Sequence, residues 1–489
     1  MARNPLYLAL LAPLVHYAKA APQAGNAAQI TYADGVVVPA TPPVRTGMPV
    51  SHGPFTGVAT MTGALTAPTV LGTAITGRPP SSAATTYPSD GNLHDPMLIP
   101  YAPGGGLGTN GTAPVYNVKS DFDYQSLALA LYVEWFEMDL FRYGLSQFSQ
   151  AEFAAVGLTP EDLYLIQFMA EQEIGHATLI SNILGPSAPK QCNYNYPFTT
   201  VSEFLDFSQK IARIGESSVY GFLPHLDSRA AASLLLQSIA VEARQQVIFR
   251  QFMGLFPMPV WFEVGVPQSW AWTLLAPYIS SCPADQTRLA WQNFPALTIV
   301  NQPNPVLTNG SMAFNQTISP GTNTLNSTGI PSNQSCVNAT TPLADCKAAI
   351  SSNRTIPLSA AGREVSLTWD LPGKQVGPEN SYITTSQAGP AKFVAWVTQL
   401  NITYSPLTGL TGGGGGGGGN MTGGGNATNT TGTMSGKTIQ PDLSTFMGDP
   451  AINGTIFIAI TDSNPYLTPF NLSLINPHVV AGPALYQAG

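Results

Sequence analysis

Thr159-Pro-Glu-Asp-Leu-Tyr-Leu-Ile-Gln-Phe-Met-Ala-Glu-Gln-Glu-Ile-Gly-His-Ala177 has the punctuation and periodicity of an amphipathic helix with polar residues on its apolar side. Thr159 is an N-cap followed by Pro at the first helical position and an acid at the third, a helix start in which side chains satisfy the free N–H groups. Leu163, Ile166, Ala170, Ala177, Ile180 and Leu184 then recur at helical spacing, and the run closes at Gly185-Pro186. At about 100° per residue, Glu173 falls at the centre of this apolar stripe and His176 at its edge. An acid and an imidazole three residues apart therefore project together toward whatever this helix packs against.

Three further helices carry their own punctuation. The first spans about 123–143 and stops near Gly144; the third opens with the capping box Thr200-x-x-Glu203 and ends before Pro224; the fourth opens at Asp227 and closes at Gly254. With a short connection between the third and fourth, the simplest packing is an antiparallel four-helix bundle. On the first helix Leu127, Ala130, Leu131, Met138 and Phe141 share a stripe centred on Glu134, with Glu137 beside it. On the fourth, Leu235, Ile239, Ile248, Phe249, Phe252 and Met253 form an arc that includes Glu242 and Gln245.

Burying several carboxylates in an apolar bundle is costly unless each is paired, protonated or bound to a metal. Two readings stay open at this point. The acids either hold a metal or line a wet groove and pair with Lys210, Arg213 and Arg244. Hard carboxylates with an imidazole suit iron or manganese better than thiolate-loving metals.

Beyond the bundle the texture changes. Only 9% of the 489 residues are charged, against roughly a quarter in an ordinary soluble domain. The net charge of −8 gives no basic cluster for nucleic acid. Residues 21–120 read as a Pro/Gly/Thr-rich, loop-rich arm. After residue 300, runs such as Ala391-Lys-Phe-Val-Ala-Trp-Val397 and Thr455-Ile-Phe-Ile-Ala-Ile-Thr461 read as strands, and 412–436 is a Gly-rich insert. The fold class is α+β: a helical bundle at 121–300 and a β-rich C-terminal region at 301–489.

Several features indicate export. Residues 1–20 have a charged start, an apolar run too short to span a bilayer and the small-x-small site Ala18-Lys-Ala20, the order of a signal peptide. No later segment predicts a membrane span. Thirteen Asn-x-Ser/Thr sequons occur, at Asn110, Asn309, Asn315, Asn326, Asn333, Asn338, Asn353, Asn401, Asn420, Asn426, Asn429, Asn453 and Asn471. Glycans there would supply the missing solubility. Four cysteines allow three pairings; Cys336 with Cys346 is the local bridge, which leaves Cys192 with Cys282. The expected location is extracellular or cell wall, with cell-wall or glycan contacts as the candidate partners. Trp261, Trp270 and Trp272 are expected to cap the bundle core. A nucleophile elbow Gly-x-Ser-x-Gly is absent, and Gly104-Gly-Gly-Leu-Gly108 lacks the strand and helix of a dinucleotide site.

Glu134 with Phe141, Glu173-Ile-Gly-His176 and Glu242-Ala-Arg-Gln245 together resemble the ferritin-like di-iron carboxylate bundles. Tyr132-Val-Glu-Trp-Phe-Glu-Met138, Val241-Glu-Ala-Arg-Gln-Gln246, Gln268-Ser-Trp-Ala-Trp-Thr-Leu274 and the tail from Phe470 to Ala484 are similar to secreted fungal ferritin-like proteins of the stress-response or late sexual development family. This resemblance implies an iron or manganese site with candidate ligands Glu134, Glu137, Glu173, His176, Glu216, Glu242 and Gln245. The chain departs from the pattern twice. Gln245 stands where a second Glu-x-x-His would place its His, although ferritins also use a Gln on that helix. Glu216, the only mid-helix acid of the third helix, lies on the flank of the Phe204, Phe207, Ile211, Gly215, Phe222 stripe, with Arg213 at the better level.

Overall fold

The computed structural model describes residues 29–31, 37–39, 118–284, 286, 288–303, 357–412, 432–445 and 453–489. The signal-peptide reading, nearly all of the arm, the core of the Gly-rich insert, Cys336, Cys346 and the sequons at Asn110, Asn309, Asn315, Asn326, Asn333, Asn338, Asn353, Asn420, Asn426 and Asn429 lie outside the described residues. Among the described residues no helix is long and apolar enough to cross a membrane.

Six α-helices are present among the described residues: α1 (Asp121–Gln147), α2 (Gln150–Ala155), α3 (Pro160–Leu184), α4 (Val201–Phe222), α5 (Arg229–Phe252) and α6 (Gln268–Leu275). α1, α3, α4 and α5 form the bundle, with α1 packed on α3, α4 on α5, and α1 against α4. Their starts follow the caps read from the sequence. Thr159 and Thr200 each close a capping box, and Ser120 accepts a hydrogen bond from the Asp123 backbone N–H. Asp123 in turn accepts from the backbone N–H of Asp227 and Ser228 at 2.8 and 3.0 Å, tying the first turn of α1 to that of α5.

Two local readings are corrected. α1 does not stop at Gly144 but continues to Gln147. A Cβ on Gly144 would lie 2.1 Å from the Phe204 ring, so this glycine makes room for α4 and terminates nothing. Trp270 and Trp272 are fully buried on α6, where Trp272 packs edge-on against Tyr132 and Tyr382, whereas Trp261 is 55% exposed and caps no core.

The strands are β1 (Gln29–Thr31), β2 (Val37–Pro39), β3 (Asn193–Tyr194), β4 (Ile279–Ser281), β5 (Leu297–Ile299), β6 (Glu364–Asp370), β7 (Gln375–Val376), β8 (Tyr382–Ile383), β9 (Phe393–Val397), β10 (Ile402–Pro406), β11 (Thr408–Gly412), β12 (Thr433–Ile439), β13 (Thr455–Thr461) and β14 (Val479–Gln487). β1–β2, β3–β4 and β7–β8 form small antiparallel pairs. A Cys192–Cys282 disulfide joins the ends of β3 and β4.

Two four-stranded antiparallel sheets, ordered β10-β9-β13-β14 and β11-β12-β6-β5, make up the C-terminal region. They share a core in which Ile456, Ile458 and Ile460 of β13 and Val394 and Trp396 of β9 meet Val365, Leu367 and Trp369 of β6. The alternate residues Phe457, Ala459, Ala395 and Val397 face the other way and join the bundle's core. The molecule is thus layered as helices, sheet, sheet. Every residue of β13 is buried, which explains why its sequence is a nearly unbroken apolar run where a one-sided strand would alternate.

Candidate metal centre

Local helix geometry brings the polar residues to one level of the bundle. α1 contributes Glu134 and Glu137, α3 Glu173 and His176, and α5 Glu242 and Gln245. All four glutamates are at most 2% exposed, in the apolar interior. One ligand atom each from Glu134, Glu173, His176 and Glu242 lies within 4.8 Å of all the others. His176 Nδ1 is 2.9 Å from Glu173 Oε2 and 3.2 Å from Glu134 Oε2. Gln245 Nε2 donates to Glu173 Oε1 and, at 3.2 Å, to Gln172 Oε1.

What the cluster lacks is donors. Both oxygens of Glu137, Glu242 Oε2 and Gln245 Oε1 are buried with no hydrogen-bond partner among the described residues. Orphaned buried acceptors are costly, and grouping them raises the cost further. The backbone at this level is bare: a Cβ on Gly215 of α4 would lie 3.3 Å from both Glu137 Oε1 and Glu242 Oε2, and 2.9 Å from Val133 Cγ1. Glu137 and Glu242 therefore pack directly against the backbone of α4 at Gly215.

Electrostatics give the same picture. Burial pushes Glu134 up to about 7 against the opposing pull of His176. Glu137 is held well above the ordinary carboxylate range by burial and then by Glu242, Glu173 and Glu134. Glu242 is raised likewise by burial, Glu134 and Glu173. Burial alone would lower His176, but Glu134 and Glu173 overcome it and lift the imidazole to about 12. Without a cation, burial favours the neutral forms of Glu134, Glu137 and Glu242. A divalent ion would neutralise the carboxylates and give the orphaned oxygens a partner, so the residues present fit a hard metal. Glu134, Glu173, His176 and Glu242 are placed to hold it, and Glu137 and Gln245 border the same space.

Glu216 is not brought into the cluster. Its Oε2 is 3.3 Å from Arg213 Nη1, and Arg213 also pairs with Glu263 and donates from Nε to the Thr455 carbonyl at 3.2 Å. Burial raises Glu216 to about 8 even beside Arg213. This network joins the bundle to the sheet. Sequence reasoning missed Glu263, which lies in a loop with no periodicity to flag it. It also missed the role of Gly215, although a glycine inside an apolar stripe was the available signal.

The ferritin-like domain family matches residues 121–255, a span that contains all seven candidate ligands. Protein rds1 of Schizosaccharomyces pombe is 48% identical over 407 residues, covering 82% of this chain and 90% of that protein. The similarity thus extends past the helices into the C-terminal sheets. With a ferritin-like bundle and a match along nearly the whole of that relative, this chain belongs to the ferritin-like family of protein rds1.

Proposed function

We propose that this is a secreted fungal ferritin-like protein that holds iron or manganese at Glu134, Glu173, His176 and Glu242 and serves in stress response or sexual development. The convergence of four ligand atoms within 4.8 Å of one another carries the metal reading, and the orphaned oxygens of Glu137 and Glu242 support it. A bound iron or manganese would supply redox chemistry toward dioxygen or peroxide. The chain's own part is to bind and orient it. His176 Nδ1 lies between two carboxylates that fix its ring, Gln245 positions Glu173, and the apolar walls of α1 and α4 exclude water. Export is supported by the signal-like start, by the sequons and by a Cys192–Cys282 bridge of the kind kept in oxidising compartments.

A second reading, a non-catalytic extracellular or cell-wall glycoprotein with the bundle as scaffold, is favoured by one observation. His176, Glu134, Glu173 and Gln245 already satisfy part of their hydrogen bonding among themselves. Elemental analysis of the secreted protein, purified without metal resin or chelator, separates the two. About one or two Fe or Mn per chain, lost in a Glu173→Ala/His176→Ala variant whose circular dichroism is unchanged, is the expected result. Less than about a tenth of an equivalent after anaerobic loading with Fe(II) or Mn(II) would leave the scaffold reading.

A further inference from the structure

Three sequons lie among the described residues, and the fold uses their side-chain amides in three different ways. Asn401 Nδ2 donates to two backbone carbonyls, Ser444 at 2.9 Å and Thr445 at 3.2 Å. Both of its N–H groups are committed, and an amide nitrogen that carries a sugar keeps only one. A glycan there would remove one of these bonds and insert a sugar between β10 and the 444–445 segment. Asn453 is buried, at 9% exposed, with a left-handed backbone (φ 62°) and Oδ1 accepting from the buried Gln399 Nε2 at 3.1 Å. The neighbouring Gly454 has no room for even a Cβ, which would lie 2.7 Å from Pro259 Cγ.

Asn471 is arranged the other way round. Its Oδ1 accepts from the Thr468 backbone N–H at 2.7 Å and from Thr468 Oγ1 at 2.9 Å, capping the 3-10 segment Pro469–His478. With the oxygen turned in to the cap, the geminal Nδ2 is directed away from it, and it has no partner among the described residues and is not one of the buried orphans. The backbone beside it is anchored, because His225 Nε2 bonds the Phe470 carbonyl at 2.8 Å. Ser473, the hydroxyl residue of the sequon, is exposed, and Phe470 next to it is 63% exposed.

We propose that Asn471 carries an N-linked oligosaccharide and that Asn401 and Asn453 do not; the proposal rests on the reading that the protein is secreted. In the modification a bond forms between Asn471 Nδ2 and the anomeric carbon of the sugar. The bond from that carbon to the phosphate oxygen of a polyprenyl-diphosphate-linked oligosaccharide breaks, the diphosphate leaves, and one amide proton is lost, with no change of oxidation state. The first sugar then lies beside Phe470, whose ring rests on that of His225 at 4.7 Å and is otherwise largely exposed, and covers part of its apolar surface.

The test is glycopeptide mass spectrometry on the full-length protein secreted from a fungal host, with enzymatic deglycosylation in heavy-oxygen water to mark each occupied asparagine. Ser473→Ala is the companion variant, since it destroys the sequon but keeps the Asn471 cap; Asn471→Gln would disturb both. The expected result is a marked Asn471, unmarked Asn401 and Asn453, and a loss of one glycan's mass in Ser473→Ala with an unchanged melting curve. An unmarked Asn471 in a protein glycosylated at other sequons would overturn the proposal and leave secretion standing. Marking of Asn401 or Asn453 in the folded protein would also overturn it. A protein that carries no glycan anywhere and keeps an unprocessed N-terminus would overturn the proposal together with the secretion reading itself.

Discussion

Loading the bundle with Mn(II) at about pH 6 should release protons, because coordinating groups must be deprotonated. In the metal-free fold burial holds Glu134 at about 7 despite His176. Burial together with Glu134 and Glu173 holds Glu242 well above the usual carboxylate range. His176, which burial alone would lower, is kept at about 12 by the same two acids. Burial and the neighbouring acids thus favour the protonated forms of this coupled set over the ionised ones, and each proton displaced by the ion steepens the apparent affinity by about one decade per pH unit. Anaerobic calorimetric titration in two buffers of different ionisation enthalpy counts the protons directly. The metal-free protein should show the linked effect in its stability. Glu134 moves from an ordinary 4.5 to about 7, so the folded state holds this proton more tightly than the unfolded chain does. That contribution is complete below about pH 4.5 and is lost as pH rises through about 7. Bound metal, which favours the ionised acids, should flatten or reverse the slope. Stoichiometric binding with no proton release would place the ion elsewhere and refute the reasoning.

Other substitutions separate the site from its frame. Gly215→Ala would set a methyl group 2.9 Å from Val133 Cγ1 and 3.3 Å from two carboxylate oxygens. A helix-propensity gain of about 1 kcal/mol is set against an overpacking cost of about 1–3 kcal/mol. The expected outcome is a modest fall in melting temperature with most of the bound metal lost, read by thermal melts and elemental analysis. Arg213→Met takes away the cation shared by Glu216 and Glu263 and the bond to the Thr455 carbonyl, and should lower the urea midpoint while metal content persists. Reducing the Cys192–Cys282 bridge, which spans 90 residues, should cost about 2–4 kcal/mol, seen as a lower melting temperature in dithiothreitol; an unchanged melt would show that β3 and β4 are held by packing alone.

The helices were legible because their signals are local. Thr159, Thr200 and the positions of Glu173 and His176 involve residues three or four apart, and the bundle reproduces them without reference to the rest of the chain. Gly144 misleads for the same reason: next to a helix end a glycine reads as a stop, and only the Phe204 ring lying against it shows that it is a packing notch. Trp261 reads as core on composition, yet the loop holding it is pinned from behind. Its backbone N–H and that of Phe262 both donate to Gln399 Oε1, at 2.6 and 3.0 Å, and the indole is left outside.

Four amphipathic helices, the strand character of the C-terminal region and the inward direction of Glu134, Glu173, His176 and Glu242 are encoded locally, since caps and periodicity act within a few residues of chain. Which acids meet depends on how the helices pack. Glu216 is turned to Arg213, which a loop also brings to Glu263, while Glu137 and Glu242 pack against the bare backbone of α4 at Gly215. Tertiary packing also buries β13 on both faces. Such outcomes depend on how separate elements pack in space, and no short-range periodicity of one element encodes the position of another.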